Sequence, residues 1–235
     1  MSDTEEDEVQ SRVVKITVVG EPATGKSSLC ARYLGAECAG GAGGAGGAGG
    51  AEGTLGAEVM AGQAAALRPP APLQLVDVAG AALQTDMLPN YLYDSDIVLF
   101  VYDLTNLQSF EKLDLWLEKV KGIFENERKP LMALFGNKSD LEHQRAVRLS
   151  CVQKLAAKHF LESYKGSART GDMVSLMFTN LIARVLGRSV RYLSTSTNGK
   201  SHLPVDAAVR NGRSPLLQIE PTSSLIMNRK ALRKM

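Results

Sequence analysis

The chain has 235 residues, 44% of them hydrophobic and 22% charged, with 27 Lys and Arg against 25 Asp and Glu for a net charge of +2. That is enough apolar sequence for one substantial core with ends to spare, and the charge balance argues neither for nor against a nucleic-acid partner. No apolar stretch approaches the length of a membrane span. Cys30, Cys38 and Cys151 stand at unrelated spacings that make no disulfide framework and no metal pattern, so each is expected to be a reduced thiol acting as a small buried hydrophobe.

Residues 1–11 begin with Asp3, Glu5, Glu6, Asp7 and Glu8, too polar to fold alone and opposite in charge to a secretory signal. The β-branched run over 13–19 predicts a buried strand, and a helix is predicted over 26–36. Between them lies Gly20-Glu21-Pro22-Ala23-Thr24-Gly25-Lys26-Ser27, which fits G-x-x-x-x-G-K-[S/T]. In that motif, backbone N–H groups of a glycine-permitted turn and of a new helix wrap a polyphosphate. Lys26 would reach the β and γ phosphates and the Ser27 hydroxyl would ligate Mg²⁺. The loop specifies a nucleoside triphosphate without specifying the base.

From Ala39 to Ala51 the chain is a Gly-Gly-Ala repeat without proline. Thr54 follows, where a second hydroxyl ligand for Mg²⁺ would come from. Strands are predicted near 58–66 and 73–78, the second ending in Asp77-Val78-Ala79-Gly80. Asp77 could hold Mg²⁺ through water, and the Gly80 N–H could meet the γ-phosphate. A short helical segment near 82–92 leads to a strand over 97–103 and a helix over 108–124, whose Phe110, Leu113, Trp116, Leu117 and Val120 form one apolar stripe. The strand predicted over 130–136 ends in Asn137-Lys138-Ser139-Asp140. A carboxylate there could accept from the N1–H and exocyclic amine of guanine, a donor pair that adenine lacks. Leaving it unpaired beside the wrong base is costly. Asn137 would brace the loop, and the Lys138 stem would lie over the base plane.

A helix over 149–159, a strand over 161–165 and a helix over 172–187 complete the ordered pattern. After the last strand comes Ser167-Ala168-Arg169, where the Ala168 N–H could meet the guanine O6. Strands alternating with helices predict an α/β fold with a mainly parallel sheet and helices on both faces. Every motif lies just after a strand, where such sheets bind ligands. From Ser189 onward periodicity fades and basic residues gather, so 188–235 reads as a disordered basic tail.

Phosphate loop, Asp77–Gly80, Asn137–Asp140 and Ser167–Arg169, in this order, resemble the Ras superfamily of small GTPases over roughly residues 12–187. The segment 97–106 with Ser109, Phe110 and Trp116 resembles the Rab branch. Asp140-Leu141-Glu142-His143, Thr170-Gly171-Asp172 and the acidic start are similar to the Rab subfamily numbered twenty-eight. The resemblance implies a P-loop NTPase of the small-GTPase fold, with a six-stranded sheet in a domain over 12–187. It implies GTP/GDP contacts from Gly20, Ala23, Thr24, Gly25, Lys26, Ser27, Ser28, Thr54, Gly80, Asn137, Lys138, Asp140, Ser167, Ala168 and Arg169, with Mg²⁺ at Ser27, Thr54 and Asp77. It also implies a monomeric switch without a nucleic-acid partner. Such a switch is read by effector, exchange-factor and activating proteins in vesicle traffic, cytoplasmic or peripheral on endosomal or ciliary membranes.

Several positions depart from that pattern. Ala81 stands where a GTPase normally places the Gln that orients the attacking water, so slow intrinsic hydrolysis is expected. Gln84 could serve only if the loop were rearranged. Activating proteins of the commonest Rab-directed type supply both an Arg and a Gln in trans, which leaves assisted hydrolysis open. The Gly/Ala insertion over 39–53 lies in the first switch and exceeds the usual spacing by about nine residues, long for an ordered loop. Its glycines raise the entropy cost of holding Thr54, so weaker affinity and fast exchange are expected. Val59 stands near a usual Phe and Val76 at a usual Trp, thinning the aromatic anchors that effectors read. Pro22 lacks an N–H, but those of Ala23 to Ser27 can still form the cradle. The last cysteine is Cys151, so no prenyl anchor is expected and the basic tail would give only weak peripheral membrane contact. The competing reading is a GTP-binding interaction module that does not cycle; an ATPase or nucleotide kinase is disfavoured by Asp140.

Overall fold

A computed structural model describes residues 12–35, 54–125 and 127–188. The acidic start, the insertion over 39–53 with Cys38, and the basic tail from Ser189 on lie outside the described residues.

The elements follow in order β1 (Val14–Val19), α1 (Lys26–Tyr33), β2 (Ala57–Ala64), β3 (Ala71–Val78), α2 (Leu88–Leu92), β4 (Ile97–Asp103), α3 (Leu107–Glu111), α4 (Leu113–Ile123), β5 (Leu131–Asn137), α5 (Leu149–His159), β6 (Glu162–Lys165) and α6 (Val174–Val185). Short 3-10 helices span Gly80–Gln84 and Ser139–Gln144. The strands make one six-stranded sheet in the order β2-β3-β1-β4-β5-β6, parallel except where β2 runs antiparallel to β3.

Strand β4 explains why the sequence reads as it does. All seven residues are buried, because helices cover both faces. Ile97, Leu99 and Val101 join a core with Leu29 and Cys30 of α1 and Met177, Phe178 and Leu181 of α6. Val98, Phe100 and Tyr102, one residue out of phase, join the opposite core with Leu88, Leu92, Leu113, Trp116 and Val152. Tyr33 of α1 and Phe178 of α6 stack with ring centroids 4.2 Å apart.

Two expectations change. The helix expected over 108–124 is interrupted at Lys112, where ψ relaxes to −8°. The ladder persists through it, with Lys112 N–H donating to Gln108 C=O at 3.1 Å and Trp116 N–H to Lys112 C=O at 3.2 Å. It is therefore one tightened run, capped at its start by the Asn106 side chain. Cys30 is buried as expected, and burial pushes its thiol pKa well up, but Cys151 on α5 is exposed.

The strand order places the carboxyl ends of β1, β3 and β4 side by side. The chain leaves β1 toward β3 on one side and returns to β4 on the other, so the turn after β1 faces a crevice at the point of reversal.

Candidate nucleotide site

The turn after β1 is built where only glycine fits. Gly20 has φ +144°, and a Cβ there would stand 2.1 Å from the Val101 carbonyl oxygen of β4. Gly25 has φ +88° and would place a Cβ 2.4 Å from Asn137 Nδ2. With these two positions set, the loop closes on itself. Thr24 Oγ1 donates to the Glu21 carbonyl at 2.9 Å, and Lys26 Nζ donates to the carbonyls of Gly20 at 3.0 Å and Glu21 at 2.9 Å. Lys26 is 6% exposed. Burial lowers its pKa, and the negative charges of Asp77 and Glu21 oppose that shift.

Three oxygens meet at the base of the loop. Asp77 Oδ2 accepts from Ser27 Oγ at 2.5 Å and from Thr54 Oγ1 at 3.3 Å, and the two hydroxyls lie 3.2 Å apart. Asp77 is wholly buried, and its Oδ1 has no hydrogen-bond partner among the described residues. Burial raises its pKa, against the Ser27 hydroxyl, Lys26 and Thr54. An unpaired buried carboxylate oxygen beside two hydroxyls suits a hard divalent cation. Among the described residues no group of three or more His, Cys, Asp or Glu side chains makes a metal cage. The donor set therefore fits Mg²⁺ shared with a phosphate ligand rather than a cation held by protein alone.

On the far side of the loop, Asn137 at the end of β5 works as a cross-brace. Its Nδ2 donates to the Thr24 carbonyl at 2.8 Å, and its Oδ1 accepts the Ala168 N–H at 2.9 Å. One buried amide thus joins the phosphate loop to the turn after β6. Lys138 adopts φ 66°, and its Nζ donates to the Ala23 carbonyl at 3.0 Å and pairs with Asp103 Oδ2 at 2.7 Å. Asp140 Oδ1 accepts from Ser167 Oγ at 2.5 Å. Asp140 is exposed.

The other expected residues fall around this frame. Gly80 abuts Pro22, with a Cβ on Gly80 predicted to stand 2.4 Å from the Pro22 nitrogen and Cδ. Ala81 and Gln84 lie exposed in the 3-10 helix that follows, Ser28 is exposed on the first turn of α1, and Arg169 is exposed beyond Ala168. Val59 and Val76 are register partners on β2 and β3, but only Val59 is exposed. Val76 is buried in the second core, so it thins no surface by itself.

Two groups escaped the sequence reading. Arg32, in the last turn of α1, donates through Nε to the Ala168 carbonyl at 2.9 Å and through Nη2 to the Arg169 carbonyl. The Glu21 carboxylate accepts from Trp116 and Lys112 of the tightened helical run. Trp116 carried a usable signal: an indole N–H placed on a buried stripe needs an acceptor somewhere in the fold. Arg32 carried none, because a basic residue in a last helical turn has a sufficient local reason to be there.

Residues 15–187 match the Ras family. The chain is also 32% identical over 186 residues to the Ras-related protein Rab-28 of Caenorhabditis elegans, an alignment covering 77% of this chain and 70% of that relative. Members of this family bind GTP and GDP with Mg²⁺. The chain belongs to the Ras family, as a small GTPase of the Rab branch.

Proposed function

We propose that this Rab-like GTPase binds guanine nucleotide through the fifteen-residue set expected from the sequence, and hydrolyses GTP slowly unless assisted. Lys26, steadied by the carbonyls of Gly20 and Glu21, meets the β and γ phosphates, while the N–H groups of Ala23 to Ser27 cradle them. Ser27 and Thr54 would hold Mg²⁺ directly and Asp77 through water; the ion supplies neutralisation of charge between the phosphates. Asp140 accepts from the guanine N1–H and amine, Ser167 keeps the carboxylate in place, and Ala168 donates to O6. Thr54 and Gly80 report the γ-phosphate, and partners in membrane traffic read that difference. The domain is proposed to span 12–187, in a cytoplasmic or peripheral endosomal or ciliary setting.

Slow hydrolysis rests on one observation. Ala81 directly follows Gly80 in the exposed 3-10 turn, and a methyl group can neither donate to water nor accept from it. Ala81→Gln is expected to raise the single-turnover hydrolysis rate at least about tenfold, the order expected for restoring a water-orienting group. An unchanged rate would overturn the assignment. The same Ala81 favours a second reading, a GTP-binding module that does not cycle. Extraction of nucleotide from the purified full-length protein separates the two: GTP means arrested hydrolysis, GDP a working or assisted cycle. Titration with GDP, GTP and ATP checks the base, and equal ATP affinity would remove the guanine assignment.

Arg32→Ala tests the guanine turn. Losing its hold on the carbonyls of Ala168 and Arg169 is expected to speed GDP dissociation about fivefold, the scale of one charge-assisted hydrogen bond partly transmitted. Stopped-flow release of a fluorescent GDP analogue measures it.

A further inference from the structure

Glu21 occupies the second position of the phosphate loop, yet its side chain is engaged by α4 and the residue before it. Trp116 Nε1–H donates to Oε1 at 3.2 Å, and Lys112 Nζ donates to Oε2 at 2.7 Å. Trp116 is wholly buried, so its N–H requires an acceptor inside the fold, and the Glu21 carboxylate, 13% exposed, is that acceptor. The main chain of the same residue is committed in the other direction. Its carbonyl accepts from Lys26 Nζ and from Thr24 Oγ1, each at 2.9 Å. One residue therefore connects the buried indole of α4 to the ammonium of the phosphate loop.

The next residue makes that connection matter. Pro22 has a fixed φ, brings no N–H and restricts Glu21 to extended backbone. The first turn of the loop thus has one fewer amide with which to hold itself, and the Glu21 peptide takes its orientation from the anchored side chain.

We propose that Glu21 is a positioning residue for the nucleotide: its carboxylate, clamped by Trp116 and Lys112, orients the Glu21 peptide and through it the Lys26 ammonium that meets the phosphates. This rests on the nucleotide-binding reading above. The two halves of the clamp are unequal. Lys112 is 53% exposed, so its ion pair is screened and weak, whereas the Trp116 bond is shielded from water.

Trp116 is the single tryptophan of the chain, so its emission reports on this contact. The test uses the full-length protein as wild type and as Glu21→Ala, Glu21→Gln, Trp116→Phe and Lys112→Ala. Release of a fluorescent GDP analogue and thermal melting are measured for all of them, and tryptophan emission before and after Mg²⁺ and nucleotide are stripped with EDTA for those that retain Trp116. Release from Glu21→Ala and Trp116→Phe is expected to be about tenfold faster than from wild type. Glu21→Gln keeps an acceptor oxygen and is expected to stay within about twofold, as is Lys112→Ala. Wild-type emission changes on stripping, and that change is lost in Glu21→Ala. Melting that falls while release stays at the wild-type rate would mean a purely structural contact and overturn the proposal. So would equally fast release from Glu21→Ala and Glu21→Gln. Trp116→Phe keeps an aromatic side chain at the buried position while removing the N–H, and its release rate decides the matter if Glu21→Ala does not fold. A wild-type protein that binds no guanine nucleotide would instead overturn the functional reading, and that result is seen before any variant is compared.

Discussion

Asp140→Ala is expected to lower affinity for both GDP and GTP at least about a hundredfold, from the loss of two hydrogen bonds to a charged acceptor. ATP binding, already weak, should not fall with it, because adenine has no matching donor pair. The substitution leaves the frame intact. Asp140 is exposed and accepts from Ser167 Oγ, while the brace from Asn137 to Thr24 and Ala168 does not pass through it. Isothermal titration with the three nucleotides, beside a melting curve, checks both halves of the expectation. Unchanged GDP affinity would mean that the base is read elsewhere. A fallen melting temperature with unchanged selectivity would mean that Asp140 serves only to hold Ser167.

The second large effect is on the fold. Gly20→Ala places a Cβ 2.1 Å from the Val101 carbonyl oxygen and 3.3 Å from the Val101 nitrogen, at φ +144°. The obstacle is backbone of the central strand β4, paired on both sides with β1 and β5, so it cannot rotate aside as a side chain would. Overlap and backbone strain together are expected to cost at least about 4 kcal/mol. In a domain of this size that lowers the melting temperature by roughly 10 °C or more. Gly122→Ala is the matched control. Gly122 lies exposed in α4 with no atom within 4 Å of a new Cβ, so the same chemical change should stabilise by about 0.5–1 kcal/mol. Equal melting of the two variants would show that Gly20 is not sterically constrained.

Much of this protein could be read from residue order. Strands with near-continuous burial, such as Ile97–Asp103, were recognisable because a sheet covered on both faces needs apolar side chains at every position. The apolar stripe of Phe110, Leu113, Trp116, Leu117 and Val120 and the phosphate loop were recognisable because their physics is local: one helical period, one turn with two glycines, one helix start. Boundaries were less certain for the same reason. The tightening at Lys112 and the 3-10 helix over Ser139–Gln144 depend on what packs against them, not on propensity.

The site divides along that line. The residue types proposed to serve phosphate, cation and base stand out in the sequence alone, since Lys26 and Ser27 follow β1, Asp77 lies at the end of β3, and Asn137 and Asp140 lie at and just past the end of β5. How those segments are held together was not. Asn137 meets Thr24 across 113 residues, Arg32 meets Ala168 across 136, and Trp116 meets Glu21 across 95. Such bonds leave no periodic trace, because each partner also has an ordinary local explanation. The sequence by itself determined a small-GTPase fold with its motif loops after the strands of a mainly parallel sheet. Only the tertiary structure decided what braces it: buried donors must find acceptors wherever the fold brings them, and that is a property of packing rather than of spacing.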